Sequence, residues 1–145
     1  MHRNPLIIVL AALAVAGCAT APVSTQESRS IDTSHRLATP GARAADAQEG
    51  GHLVVVRDRG FSGSATNLRL SIDGVAVADL RPAGRYDVFL KEGEYVLAAI
   101  PVPNLFSANT AAEAAVTVKR GQTYVFRAGF GYGGVILQRS TLSSR

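Results

Sequence analysis

Beyond Gly50 the chain alternates between apolar and polar positions. Leu68, Leu70 and Ile72 take turns with Asn67, Arg69 and Ser71, and later Ala114, Val116 and Val118 take turns with Ala115, Thr117 and Lys119. A period of two sends successive side chains to opposite faces, the mark of a half-buried β-strand. Residues 53–56 form an unbroken apolar run, and in 123–130 the residues Tyr124, Phe126, Ala128 and Phe130 share one face. Segments 75–80, 86–90, 94–100 and 135–139 read the same way, so that about eight short strands are expected. Turn signals separate them. Asp73-Gly74 predicts a type I′ hairpin, which needs positive φ at both central residues, and Lys91-Glu92-Gly93 and 119–122 are two further tight turns. No stretch after Gly50 carries a helical period. The expected fold is all-β, an antiparallel β-sandwich over 50–145.

If successive strands run antiparallel, their connections alternate between two ends of the domain. The three tight turns then fall at one end. The longer connections, at 58–66, 81–85, 101–112 and 131–134, fall at the other. That second end carries Arg59, Arg81, Arg85, Phe61, Leu105, Phe106 and Tyr132, a mixture of arginine and large apolar side chains of the kind that anchors interfaces. These seven are the candidate binding residues.

The first 49 residues read differently. Met1 to Asn4 carry Arg3 and His2, residues 6–16 are an apolar run, and small residues lead into Cys18, the single cysteine. A basic start, a short apolar run and small residues make a secretory signal, and the run falls short of the ~20 residues that a spanning helix needs. Residues 19–49 are rich in Ala, Ser, Thr and Gln, contain Pro22 and Pro40 and have no aromatic side chain. Such a segment is expected to be a disordered, flexible tether with a reach on the order of 30 Å. The domain boundaries are thus 1–17, 18–49 and 50–145. With the tether entering the first strand at the tight-turn end, the long-loop end is expected to point away from whatever holds Cys18.

Val15-Ala16-Gly17-Cys18 resembles the lipobox of bacterial lipoproteins. The resemblance implies cleavage between Gly17 and Cys18, a diacylglyceryl group on the Cys18 sulfur and acylation, such as by palmitate, of the new amino group. Two or three chains of this kind hold a protein on a membrane, because each buried methylene contributes ~0.8 kcal/mol. Ala19, rather than an aspartate, follows the cysteine, which by the same resemblance implies the periplasmic face of the outer membrane. The domain itself, with its Asp-Gly hairpin and the turns Lys91-Glu92-Gly93-Glu94-Tyr95 and Lys119-Arg120-Gly121-Gln122-Thr123-Tyr124, is similar to small bacterial lipoproteins carrying a domain of unknown function. It also looks like PEGA-type surface modules. The likeness covers most of 51–140 and implies fold and address, with no catalytic residue.

Charge and chemistry narrow this picture. The formal net charge is +4, and thirteen of the fifteen basic residues are arginine, which suits bidentate contacts to carboxylate or phosphate. Secretion argues against a nucleic-acid partner. With Cys18 as anchor no cysteine is left for a disulfide, so packing alone must hold the domain. Gly129-Phe130-Gly131-Tyr132-Gly133-Gly134 matches the spacing of a dinucleotide loop, but strand-like residues follow it and no ribose-binding acid comes ~20 residues later. It reads as a glycine turn between strands. Residues 60–64 approach a nucleophile elbow, with Ser64 where a glycine belongs. His35 and His52 are too few and too far apart to supply a triad or a histidine zinc site. Asp73, Asp79, Asp87, Glu92 and Glu94 are accounted for by turns and polar strand faces.

The expectation is therefore a lipid-anchored envelope protein, not an enzyme, without cofactor or metal. It presents a binding or assembly module to an envelope protein partner. The alternatives are a structural or stress-related envelope spacer without a specific ligand, or a peptidase inhibitor acting through the 101–112 loop.

Overall fold

The computed structural model describes residues 21–31, 35–60, 65–103 and 111–140. Among the described residues there are nine strands: β1 (Arg29–Ser30), β2 (Gly51–Arg57), β3 (Asn67–Ile72), β4 (Val75–Leu80), β5 (Gly84–Leu90), β6 (Gly93–Val102), β7 (Ala112–Val118), β8 (Thr123–Gly131) and β9 (Gly134–Arg139). The eight from β2 onward coincide with the eight expected, each end within two residues. Gly41–Arg43 forms a 3-10 turn.

The strands form a sandwich of two sheets, one ordered β1-β5-β2-β8-β9 and the other β4-β3-β6-β7. Between them lie the inward halves of the alternating patterns: Leu68, Leu70 and Ile72 of β3, Tyr95, Leu97 and Ala99 of β6, Val116 and Val118 of β7, and Tyr124, Phe126 and Ala128 of β8. Asp73 (φ 48°) and Gly74 (φ 79°) both take positive φ, so the type I′ hairpin stands where it was expected. Asp73 also reaches sideways, its Oδ1 accepting from the Val96 amide at 2.9 Å while its own amide donates to the Val96 carbonyl. The hairpin tip is thereby stitched to β6.

Two of the seven strand pairings run parallel, β1 with β5 and β2 with β8, which corrects the expectation of a wholly antiparallel sandwich. The cause is direction of travel. β2 and β8 both enter from the tight-turn end, so when they lie side by side in one sheet they must be parallel, with Val54 opposite Val125. Close approach at that entry needs Gly51, where a Cβ would stand 2.5 Å from the Lys119 carbonyl oxygen.

A second correction concerns the tether. Where described, residues 21–50 lie against the sandwich. Ala21 bridges Arg59, β1 adds itself in parallel to the edge of β5, Arg36 bridges Ala78, and Ala44 bridges Leu90. Val23 is buried on the outer face of the five-stranded sheet with Val54, Val56 and Ala83. This cover explains the unbroken apolar run at 53–56, since a strand covered on both faces needs apolar residues at every position. The segment from Ala21 to Ser30 acts as a clasp.

Candidate functional site

Two tyrosines hold the tight-turn end. The Tyr95 hydroxyl donates to the Lys91 carbonyl at 2.7 Å, and the Tyr124 hydroxyl accepts from the Lys119 amide at 2.9 Å. Each Lys-x-Gly turn is thus tied to the tyrosine that follows it, the same device as the tyrosine corner of immunoglobulin-type sandwiches. Arg43 lies over the Tyr95 ring at 4.7 Å and Arg139 over Tyr124 at 5.1 Å. Spacing in the sequence pointed to these turns; the physical reason for the tyrosines is the bond back to the lysine backbone.

The opposite end gathers the longer connections, as strand direction requires. Arg59 follows β2 and is exposed, Arg81 follows β4 and is exposed, and Tyr132 stands fully exposed in the glycine turn between β8 and β9. Gly131 and Gly134 close two strands there, so the dinucleotide-like spacing is a hairpin turn. Phe61, Leu105 and Phe106 lie outside the described residues, as do Gly17, Cys18, Ser64 and most of the 101–112 loop.

Arg85 has a different task from the one expected. In β5 it alternates with core-facing Tyr86 and so lies on the outer face of the sheet. There its guanidinium donates to Asp87 at 2.8 Å, the Thr25 carbonyl at 2.7 Å and the Ser30 hydroxyl at 2.9 Å. These bonds hold the clasp. A parallel lock lies near the end of β2, where Asp58 pairs with Arg127 at 2.7 Å and accepts from the Val23 amide at 3.2 Å. Asp87 also meets His52 at 3.4 Å, and that ring stacks on Phe89 at 4.6 Å. The outer face is therefore an ionic and aromatic seam.

The clasp adds residues that the sequence analysis left in the tether. Between β1 and the β4–β5 connection opens a groove of about 260 Å³, bordered by Arg29, Ser30, Ile31, His35 and Arg81. Arg81 Nε donates to His35 Nε2 at 2.7 Å, so that ring nitrogen acts as acceptor. Just inside, Arg57 is almost fully buried, donates to the Leu80 carbonyl at 2.7 Å and lies 5.6 Å from the Phe130 ring centre. Burial lowers its pKa to about 10. The signal for the missed residues was the four-residue apolar run of β2, which required a cover on its second face.

Among the described residues, no group of three His, Cys, Asp or Glu side chains is placed to hold a metal ion. Comparison with models of known protein families, with curated proteins and with solved structures finds no match.

Proposed function

We propose that the chain is a lipid-anchored lipoprotein of the cell envelope, held through acyl groups on Cys18, whose sandwich serves as a non-catalytic binding and assembly module. The lipobox-like Val15-Ala16-Gly17-Cys18 supports the anchor. The observation that carries the module reading is the outer strand β7. It pairs with β6 along one side only, and no described strand extends the sheet beyond it. Its seven residues, Ala-Glu-Ala-Ala-Val-Thr-Val, contain one charge and no proline, few of the features with which edge strands are usually protected from pairing. Beside it, Val96, Ala115 and Thr117 border a shallow trough between β6 and β7, with Val96 exposed. An extended segment of a partner can add to such an edge through backbone bonds and set its side chains in such a trough.

The experiment has two arms. Metabolic labelling with a fatty acid should mark the wild type and not Cys18→Ala; equal labelling would remove the anchor. A photo-crosslinking residue at Thr117, on the edge, should capture one envelope protein in cells, and substitution of Val116 by proline should abolish capture. A cross-linker at Thr117 that captures nothing would favour a spacer without a ligand.

A further inference from the structure

The clasp reverses which end of the sandwich faces the anchor. Ala21 pairs with Arg59 through both backbone groups, its amide donating to the Arg59 carbonyl at 2.7 Å and its carbonyl accepting from the Arg59 amide at 3.2 Å. Only Ala19 and Thr20 separate it from Cys18. Three residue steps span at most ~11 Å of extended chain. The opposite end lies a full strand further away, ~20 Å for the seven residues of β2. An acyl group on Cys18 therefore holds the long-loop end at the membrane and the tight turns away from it, the reverse of the orientation expected from the sequence.

That end is chemically suited to such a surface. Arg29 and Arg59 are exposed, and neither guanidinium meets a carboxylate among the described residues; Arg81 beside them meets the His35 ring. The nearby acids are partly taken up. Asp58 is held by Arg127 and Asp79 by Arg69, while Glu27, accepting from the Ser24 hydroxyl at 3.0 Å, and Glu113 on outermost β7 keep their charge among the described residues. The far end, by contrast, mixes Asp46, Glu49, Asp73, Glu92 and Glu94 with Arg43, Lys91, Lys119 and Arg120, and Arg43 pairs with Asp73 at 3.2 Å. Tyr132, fully exposed at the arginine end, is the type of side chain that settles at the boundary between headgroups and acyl chains.

We propose that Arg29, Arg59, Arg81 and Tyr132 form a membrane-docking face that rests on anionic phospholipid headgroups. This inference rests on the lipid anchor proposed above and adds to it an orientation and a lipid preference. The arginines come within about one Debye length, ~8–10 Å, of the headgroup charges. Docking is accordingly sensitive to salt.

The chain contains no tryptophan, so one introduced indole reports its own surroundings. The acylated protein carrying Tyr132→Trp is reconstituted into vesicles of phosphatidylcholine alone or with phosphatidylglycerol, and Val75→Trp, at the opposite hairpin, serves as comparison. With phosphatidylglycerol, emission from position 132 should shift to the blue and be quenched by brominated lipid, while position 75 should report water. The shift should be lost in high salt, and also on adding Arg29→Glu, Arg59→Glu and Arg81→Glu together, although the protein still floats with the vesicles. Flotation with position 132 in water, or with position 75 shifted instead, overturns the docking face and leaves the anchor standing. An identical shift in both lipids overturns the headgroup preference. A chain that carries no acyl group and does not float overturns the anchor and the docking face together.

Discussion

Asp58, the residue after β2, and Arg127 of β8 meet side by side, Nη2 to Oδ2 at 2.7 Å and Nε to Oδ1 at 3.1 Å. Asp58 is buried and Arg127 partly so. The same Asp58 carboxylate receives the Val23 amide, so one pair fastens both the parallel strands and the clasp. Removing one member strands a charge inside the protein, and breaking such a pair costs 3 kcal/mol or more when it is fully desolvated. Asp58→Ala should lose about 3 kcal/mol in urea unfolding, whereas Asp58→Leu combined with Arg127→Met should recover much of that loss. A double variant as unstable as the single one would show that the pair contributes more than its desolvation cost.

The tyrosine bonds make a second, smaller prediction. Tyr95→Phe and Tyr124→Phe each delete one partly buried hydrogen bond and leave the ring under its arginine, so each should cost about 1 kcal/mol. The two tyrosines serve separate turns, and their effects should add. Thermal unfolding of the two single variants and the double variant checks this.

Gly74 is more demanding than its exposure suggests. At φ 79° with nothing within 4 Å of a Cβ, the position has room for a side chain but the wrong backbone for one. Gly74→Val should therefore destabilise by about 1–2 kcal/mol through conformation alone, while Gly74→Asn, a residue that tolerates positive φ, should cost clearly less. Equal losses for valine and asparagine would point to a steric cause instead.

Alkaline stability should respond to two buried groups with opposite signs. Burial raises the Tyr86 pKa above 10.0, against a smaller lowering by Arg36. The unfolded chain then releases that proton first, so the Tyr86 contribution is complete below pH 10 and is lost as pH rises through the folded value. Burial lowers the Arg57 pKa to about 10, so the unfolded chain holds that proton longer and stability is gained as pH rises above about 10. Tyr86→Phe should flatten the fall in stability above pH 10, and Arg57→Met should steepen it. Denaturant midpoints measured from pH 8 to 11 separate the two.

Arg85 supplies a local test of the clasp. The amides of Arg29 and Ile31 donate to the Ala83 and Arg85 carbonyls, and the Arg85 guanidinium fixes Thr25 and Ser30 above them. Arg85→Ala should lower the local opening energy by about 1 kcal/mol, roughly a fivefold faster exchange of those two amides. Core amides such as that of Val55 should be unaffected.

The strands were legible because alternation and turn chemistry are local properties. Leu68-Arg69-Leu70 declares its two faces within three residues, and Asp73-Gly74 declares its turn within two. Strand direction then places Arg59, Arg81 and Tyr132 at one end. The clasp was illegible for the opposite reason. Ser24, Gln26 and Ser28 carry no period, and what fixes their segment is a set of bonds to Asp58, Ala83 and Arg85, each more than thirty residues away. Arg85 was misjudged because its place beside a loop hid its alternation with Tyr86 and Val88, which sends it to the outer face. The one hint of a cover was that Val54 and Val56 are as apolar as Leu53 and Val55.

The parallel pairing of β2 with β8 bears on the order in which the protein takes shape. β2 is completed at Arg57, yet one of its two lateral partners begins at Thr123, so the centre of the larger sheet waits for contacts about seventy residues apart in the chain. Such long-range closure is slow. A chain emerging from its amino end can complete the four-stranded sheet β4-β3-β6-β7 by Val118, but the five-stranded sheet that closes the sandwich waits for β8. If the chain is exported as proposed above, that dependence on β8 would postpone closure of the sandwich until its last quarter has been delivered.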